Sequence, residues 1–505
     1  MKIKFKEKKT SAAAETVKTL LLVLLTVSML ALIVVYIGGT HIYQSMTDTS
    51  EKRVFDKLWS VQSGQRASGL DQGRLLPETV AFRRGTTQIG TADLDSTRSL
   101  YELVAPCVLE LFGTGSHCEE LDGTAGRLYY TEAMSGEEFI YVRYHEPVLY
   151  QFIYAYASGK LTVSDSDVAA FSPLDSGEDD GGSSGVYISE LVIIPESDVA
   201  AHRFVAVARD NEGHYYRFRR DPDALASEFH IAKLSDAASK LSTVRMSFPS
   251  DSGEVSFLDS LVPFPADELE SCDILPTPTE TAGGELTDRI LRLFGYNPDK
   301  TGEAGNGIFY DSHSLIRLES GKISYQSADP NSGVSISELL GYTADDGFGL
   351  FDKLAAVDSL LTGLSELSKS LVGGEASLCL GNVYADDGLL VYEYFYTYDN
   401  IRISEEPAVR AEFGQDSLCS FEIKAESFST LETRTLSPRP EYIARKLSES
   451  GAIPDGMSGI VMRRIYTDGK AAWKAFLPAG AGNGDNASTY FYAPRNSFFT
   501  FGSAK

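Results

Sequence analysis

Residues 20–37 form an 18-residue run without a charged side chain, LLLVLLTVSMLALIVVYI. As a helix with a rise of about 1.5 Å per residue, this run would span roughly 27 Å, close to the hydrocarbon thickness of a bilayer. The main alternative is a cleaved signal peptide, because the run is N-terminal and follows basic residues. Signal peptides have a shorter apolar region of about 7–15 residues, and no A-x-A-like cleavage site follows this one. We therefore predict a transmembrane helix at 20–37 that is retained.

The charges around this run predict its orientation. Residues 1–19 carry six lysines and two glutamates, a net charge of +4. Basic residues next to a span stay on the cytoplasmic side, so we expect this tail inside and residues 41–505 outside. The predicted location is the cell membrane, with a single pass through the lipid bilayer.

The net charge of the exterior restricts its partners. The whole chain carries −26, which leaves −30 for the residues after the tail. Nucleic-acid binding relies on clustered Lys and Arg that neutralise phosphates, so we expect no nucleic-acid partner. The chain has 43% hydrophobic and 11% aromatic residues, which is typical of globular protein.

Sequence periodicity predicts an α+β exterior with mixed helices and antiparallel sheets. A proline-rich connection between Pro249 and Gly284 marks the clearest boundary. We predict three extracytoplasmic α+β domains, at 41–272, 284–373 and 375–505.

The apolar spacing predicts individual elements within these domains. One helix begins at Asp95-Ser96, is bent by Pro106 and ends at Gly113. Further predicted helices are 223–241, 285–294, 350–372 and 441–449. Predicted strands are 79–82, 126–130, 138–144, 151–156, 186–194, 204–208, 215–218, 307–311, 314–318, 322–326, 389–398, 408–413, 420–425, 459–466 and 471–477. Four tyrosines share one face of strand 389–398 by strict alternation, namely Tyr392, Tyr394, Tyr396 and Tyr398.

The five cysteines are too few for a disulfide framework in an exported chain of 505 residues. Cys107 and Cys118 are close enough in sequence to pair, while Cys272, Cys379 and Cys419 are typical of isolated buried residues. Five unpaired, mostly buried thiols fit the sequence equally well, and both interpretations stay open.

The motifs that carry common chemistries are missing from the sequence. It contains no G-x-S-x-G, no P-loop, and no G-x-G-x-x-G between a strand and a helix. His117 and Cys118 beside Cys107 have the residue types of a zinc site but lack the further ligands. The acidic stretches 175–180 and 297–302 lack the ligand pattern of a calcium loop, which favours solvated turns. We predict no catalytic residue, no cofactor, no metal site and no enzymatic activity.

Several blocks of the chain resemble a known family. The middle of the chain has a helix that ends in Leu293-Phe294, then Asn297-Pro298-Asp299, and then a strand and a strand hairpin. This succession is similar to that of the YycH (WalH) proteins of Gram-positive bacteria, and the apolar start is similar to their anchor. The block 389–413 resembles the end of the YycH and YycI proteins. The resembling blocks are 17–25, 290–294, 297–299, 307–311, 315–318, 322–325 and 389–413.

The resemblance implies a membrane-anchored accessory regulator of the YycFG (WalRK) two-component system, which controls cell-wall metabolism. The implied partners are a YycG (WalK)-like sensor histidine kinase and a YycI-like protein, contacted through the membrane helix and the exterior. Thr26, Ser28 and Ala31 are small or hydroxyl residues that permit close helix approach, although they could equally face lipid.

Two alternatives to a kinase regulator stay open at this point. One is an anchored cell-envelope hydrolase that uses an unrecognised carboxylate pair. The other is an exterior that binds an extracellular ligand.

Overall fold

The structure is a computed structural model. It describes residues 72–91, 93–159, 167–172, 185–195, 204–210, 213–220, 231–247, 264–330, 332–344, 347–436, 461–476, 489–492 and 502–503. These residues all belong to one compact unit, Gly69–Lys505.

Several predicted features lie outside the described residues. These are the transmembrane helix at 20–37 with Thr26, Ser28 and Ala31, the acidic stretch 175–180, and the helix at 441–449. In the described ranges, no helix combines the length and the apolar character that a membrane crossing requires.

Seven α-helices and two 3₁₀ turns occur in the described ranges. The helices are α1 (Leu94–Phe112), α2 (Gly123–Ser135), α3 (Tyr150–Ser158), α4 (Ile231–Ala238), α5 (Gly284–Leu293), α6 (Ile336–Leu340) and α7 (Leu350–Leu367). The 3₁₀ turns are Gln72–Leu75 and Lys369–Val372.

Strands account for most of the remaining regular structure. The first ten are β1 (Thr79–Arg84), β2 (Thr87–Thr91), β3 (Ser116–Leu121), β4 (Glu138–Leu149), β5 (Ala170–Ser172), β6 (Tyr187–Pro195), β7 (Phe204–Arg209), β8 (Tyr215–Arg220), β9 (Thr243–Ser247) and β10 (Phe264–Pro265). The next nine are β11 (Leu269–Pro278), β12 (Gly302–Gly305), β13 (Ile308–Tyr310), β14 (Ser314–Glu319), β15 (Lys322–Ser327), β16 (Val334–Ser335), β17 (Gly373–Gly374), β18 (Ser377–Asp386) and β19 (Leu389–Tyr398). The last eight are β20 (Ile401–Arg402), β21 (Val409–Phe413), β22 (Ser417–Lys424), β23 (Glu426–Leu436), β24 (Val461–Thr467), β25 (Lys470–Phe476), β26 (Thr489–Tyr492) and β27 (Gly502–Ser503).

The first sheet is formed by the first ten strands in the order β10-β9-β2-β1-β4-β6-β7-β8-β3-β5. Its central strand β4 is buried on both faces. Ile140 and Val142 belong to the core that includes α1 and α3, whereas Phe139 and Tyr141 pack with residues of α2. Helices therefore cover both faces, which explains the continuous apolar and aromatic run from Phe139 to Val142 in β4.

The second sheet has fourteen strands in the order β12-β13-β14-β15-β22-β21-β19-β20-β24-β25-β26-β27, with β16 beside β22 and β18 beside β19. Helix α7 packs on it through Leu354, Leu361 and Leu364, all buried. A Cβ at Gly363 would lie 2.8 Å from Leu293 Cδ2, so this glycine allows α5 to approach α7 closely.

A separate ribbon consists of β11 and β23, which pair antiparallel, with the two-residue β17 on the other side of β23. Strands from the predicted segments 284–373 and 375–505 both enter the second sheet. The three predicted domain boundaries stay predictions.

Most predicted strands and helices are confirmed, including β1, β4, α5 and the hairpin β14–β15. Helix α1 starts one residue earlier than predicted, because Asp93 is its N-cap and forms a capping box with Ser96. Pro106 lies inside α1, as expected. The predicted helix 350–372 ends at Leu367, where Ser368 adopts an extended conformation before the second 3₁₀ turn.

Two predicted strands are wrong. Residues 126–130 and 151–156 have the aromatic alternation of strands, yet they lie in α2 and α3. Asp122 caps α2 by accepting from the amides of Thr124 and Ala125 at 3.2 and 3.4 Å. Both helices bury one side on the first sheet, and this tertiary packing overrides the strand propensity of their aromatic residues.

Candidate functional site

Among the described residues, a group of charged and polar side chains is buried where the two sheets meet. We call this site the polar junction. It consists of Glu78, Arg143, His145, Asp399, Asn400 and Arg463. In the first sheet, Glu78 directly precedes β1, and Arg143 and His145 lie in β4. In the second sheet, Asp399 and Asn400 form the β19–β20 turn, and Arg463 lies in β24.

The β19–β20 turn of the second sheet contacts the N-terminus of α1 and the segment before β1. Its two residues, Asp399 and Asn400, have φ values of 48° and 59°. Both lie in the left-handed region, which a two-residue type I′ hairpin requires and which Asp and Asn tolerate better than most residues. The turn is therefore a local consequence of the Asp-Asn dipeptide between two strands.

Asn400 is the centre of the polar junction. Its Nδ2 donates to the carbonyl oxygens of Pro77 and Glu78, each at 2.9 Å, and contacts Thr97 Oγ1 at 3.3 Å. Its Oδ1 lies 3.0 Å from His145 Nε2. Because the amide oxygen can only accept, His145 donates from Nε2 and carries its proton there.

Asp399 caps the N-terminus of α1, which packs on the first sheet. Its Oδ1 accepts a hydrogen bond of 3.1 Å from the amide of Leu94, the first residue of α1. The first amides of a helix have no partner within the helix, so this carboxylate satisfies one of them from a distant part of the chain. Burial raises the pKa of Asp399, and the hydrogen bond from Leu94 opposes that rise.

Glu78 is a buried carboxylate between two arginines. Arg143 Nη2 lies 2.9 Å from its Oε1, and Arg463 Nε lies 3.5 Å from its Oε2. Burial alone would raise the pKa of Glu78, but the charges of Arg143 and Arg463 outweigh burial and hold that pKa below its usual value. Glu78 is therefore ionised, and its two cations come from different sheets.

His145 stays neutral at physiological pH. Burial lowers its pKa to about 4, against the opposing effects of Glu78 and Asn400. Its carbonyl oxygen also accepts a hydrogen bond of 2.9 Å from Arg463 Nη1. The His145 ring and backbone thus each contact a different element of the second sheet.

A neighbouring ion pair extends the polar junction. Arg402 of β20 pairs with Glu146 of β4. Its guanidinium also lies 3.6 Å from the ring centroid of Phe395, a cation–π contact. Burial lowers the pKa of Arg402 to about 9.

A second contact between the sheets lies around Asp358 of α7. Its carboxylate accepts hydrogen bonds from Tyr394 at 3.1 Å and from Tyr156 at 3.4 Å, and it lies 3.2 Å from Arg74 Nε. Tyr394 belongs to the predicted tyrosine face of β19, while Tyr156 is in α3. Phe152 and Phe351 pack edge to face beside it at 5.3 Å.

The polar junction and the contact around Asp358 can hold the two sheets in a fixed arrangement rather than bind a substrate. Buried polar groups favour one arrangement because leaving any of them unpaired costs about 1–3 kcal/mol. Several independent bonds therefore hold the two sheets in one relative position. This makes the polar junction a coupling site between them.

The cysteines have no such role. All five are free thiols, so of the two interpretations left open for Cys107 and Cys118, the one with unpaired thiols is confirmed. Burial raises the pKa of Cys107 to about 12, which opposes the thiolate that zinc requires. The described residues contain no cluster of three or more metal-ligating side chains.

Sequence reasoning missed the polar junction. The only usable signal is the Asp399-Asn400 dipeptide, which predicts a tight turn but not the surface that the turn contacts. The predicted contact residues of the membrane helix, Thr26, Ser28 and Ala31, stay predictions.

Comparison with known proteins covers family models, curated proteins and solved structures. No family model matches the chain, and no curated protein matches it. Among solved structures, the crystal structure of YycH from Bacillus subtilis is similar to it. The alignment covers 82% of this chain and 96% of that chain, with 10% sequence identity and a TM-score of 0.47.

Proposed function

We propose that this protein is a membrane-anchored extracytoplasmic accessory protein that modulates a sensor histidine kinase. The kinase belongs to a two-component system that controls cell-wall metabolism. The observation that carries the proposal is the resemblance of residues 290–325 and 389–413 to YycH proteins. These blocks are distant in sequence, yet they form neighbouring structure. The first ends in β15 and the second ends in β21, and both strands pair with β22.

The proposed partners act in the membrane. Residues 20–37 would lie beside the helices of a YycG (WalK)-like kinase, with a YycI-like protein in the same assembly. Thr26, Ser28 and Ala31 are the positions that allow close approach. The regulator biases the kinase only if it binds one kinase arrangement more tightly than the other, and a typical coupling energy is about 1–3 kcal/mol.

The polar junction supports a coupling role for the exterior. Asn400 and Arg463 hold the second sheet against the first through buried hydrogen bonds. A contact made by either sheet therefore acts on both. No catalytic step enters this function.

Crosslinking tests the membrane contact. A photo-reactive amino acid replaces Thr26, Ser28 or Ala31 in turn, in the full chain in native membranes. We expect irradiation to capture a histidine kinase, identified by mass spectrometry. As a matched control, residues 20–37 are exchanged for an unrelated membrane helix of equal length that carries the probe at the same depth. This chain should stay in the membrane, lose the adduct and lose regulation.

Deletion of the gene should change phosphorylation of the response regulator. An unchanged phosphorylation level together with no captured kinase would exclude the regulator. Cleavage of purified peptidoglycan by the full chain would instead favour the hydrolase, and a small molecule retained in native mass spectrometry would favour the ligand-binding module.

A further inference from the structure

The described residues begin with a short buried segment, 72–78, which we call the entry segment. It consists of the 3₁₀ turn Gln72–Leu75 and the three residues that lead into β1. Arg74, Leu75 and Leu76 are only 8%, 2% and 7% exposed. The first residues of a folded unit are usually poorly ordered unless other parts of the chain tie them down. The burial of the entry segment therefore indicates that its contacts hold it in place.

The second sheet holds the entry segment near both ends. Near the start, Arg74 Nε lies 3.2 Å from Oδ1 of Asp358 in α7, and the two side chains are 10% and 9% exposed. At the end, Asn400 Nδ2 donates to the carbonyl oxygens of Pro77 and Glu78, each at 2.9 Å. Because α7 packs on the second sheet and Asn400 lies in its β19–β20 turn, this sheet restrains both a side chain and the backbone of the segment.

The first sheet holds the same segment through Glu78. The amide of Glu78 donates to the carbonyl oxygen of Arg143 at 2.7 Å, and the two side chains form an ion pair at 2.9 Å. The 3₁₀ turn also lies against α3, which packs on the first sheet. The entry segment therefore contacts both sheets. Because it continues covalently into β1, a separation of the sheets would break its contacts with the second one.

Breaking these contacts would free residues 72–77. Six extended residues span at most about 20–22 Å. In the sequence, the entry segment follows the predicted membrane helix at 20–37. The freed residues would therefore add up to this length to the link between that helix and β1. The contacts to be broken are few and lie in one place, which is typical of a local opening rather than of global unfolding.

We propose that the entry segment is a release element, which lengthens the link to the membrane helix when the two sheets separate. While the sheets are in contact, Asp358 and Asn400 hold the segment and keep the link short. A partner that binds the separated arrangement more tightly would release the segment, because a ligand shifts an equilibrium by its differential affinity for the two states. The role of this release in regulation rests on the proposed function, whereas the local opening itself does not.

Thiol labelling of the full chain measures the local opening without a kinase. Leu76→Cys places a thiol at a buried position of the entry segment, where maleimide reacts only when the segment opens. Cys118 of β3 is 0% exposed and serves as the internal standard for unfolding of the first sheet. Peptide mass spectrometry follows each cysteine separately, and each rate is divided by its value in urea. We expect position 76 to react about tenfold faster than Cys118, or more.

Asn400→Gly tests whether the second sheet controls the opening. It removes the side chain that holds Pro77 and Glu78, so labelling at position 76 should accelerate about tenfold relative to Cys118. Asp387→Gly makes a similar substitution in the exposed β18–β19 turn and should leave this ratio unchanged. Equal rates at position 76 and Cys118 would overturn the proposal, because the segment would then open only with the whole sheet. An unchanged ratio in Asn400→Gly would overturn it as well.

An insertion tests the consequence of a longer link. Six Gly and Ser residues placed directly before Gln72 lengthen the link while the entry segment keeps its contacts. This variant should change phosphorylation of the response regulator in the same direction as Asn400→Gly does. If deletion of the gene changes phosphorylation but the insertion does not, the release element is wrong and the proposed regulator stands. If deletion has no effect, the proposed function fails, and the regulatory role of the release fails with it.

Discussion

Glu190 and Glu78 are both buried carboxylates that lie beside arginines, but the arginines come from different parts of the molecule. Glu190 in β6 accepts hydrogen bonds from Arg209 at 2.8 and 2.9 Å and from Tyr130 at 2.6 Å. These groups all belong to the first sheet and to α2, which covers it. Glu78 instead lies between Arg143 of the first sheet and Arg463 of the second.

The pKa of both carboxylates is lowered despite burial, because the adjacent arginines outweigh the loss of hydration. The difference lies in what each network joins. The partners of Glu190 come from one layer, so its loss should weaken that layer. The partners of Glu78 and its neighbour Asn400 span two sheets, so their loss should also loosen the contact between the sheets.

The largest expected effect comes from breaking the single-layer pair. Arg209→Ala leaves Glu190 as a buried charge without its cation, which typically costs about 3–5 kcal/mol of unfolding free energy. Urea denaturation of the full chain measures this loss. Arg217→Ala is the matched control, since Arg217 lies on the adjacent β8 and pairs with Glu119 at a partly exposed site. An exposed pair is worth about 0–1 kcal/mol, and equal losses for both variants would contradict this account of Glu190.

The sequence predicts the strands and helices of the two sheets better than it predicts the contacts between the sheets. Alternation and apolar content are local properties, so β4, β19 and the tyrosine face around Tyr394 could be read directly. The α2 and α3 segments could not, because their aromatic residues have strand propensity and only packing on the first sheet makes them helical.

The candidate site depends even more on distant contacts. Asn400 and Pro77 are separated by 323 positions in the chain, and Asp399 and Leu94 by 305. No periodicity connects such positions. A single sequence predicts the turn at Asp399-Asn400 but not the surface of the first sheet and α1 that this turn contacts.

A smaller effect is expected from the junction itself. Asn400→Gly removes the side chain but keeps the left-handed backbone, and it leaves two carbonyl oxygens and the His145 ring without their partner. We expect a loss of about 2–4 kcal/mol. Hydrogen exchange should also accelerate at the N-terminus of α1, on the opposite sheet.

A glycine substitution elsewhere separates the contact from the turn. Asp387→Gly replaces another non-glycine residue with positive φ, 47°, in the exposed β18–β19 turn. It should leave both the stability and the exchange of α1 nearly unchanged. If Asn400→Gly lowers stability without affecting α1, the polar junction does not couple the two sheets.

The smallest effect at neutral pH, and a growing one in acid, concerns His145. Burial holds its pKa at about 4, below the 6.5 of a free imidazole, so the unfolded chain takes up a proton that the folded chain refuses. The stability that this neutral ring contributes is therefore fully present above pH 6.5 and is lost as the pH falls towards 4. The loss reaches about 3 kcal/mol over that window.

His145→Gln removes the titration and keeps an amide donor for Asn400. Unfolding free energies of the two proteins, measured from pH 7 to pH 4, should diverge in slope below about pH 6.5, with the wild type falling more steeply. Asp399 titrates in both proteins, so its contribution cancels in the difference, whereas Glu78 interacts with His145 and the difference reports the two groups together. Parallel curves would mean that the folded protein protonates His145 freely, and the tight contact of this ring with the β19–β20 turn would then be wrong. A steeper wild-type curve would assign this part of the acid sensitivity to the contact between the two sheets.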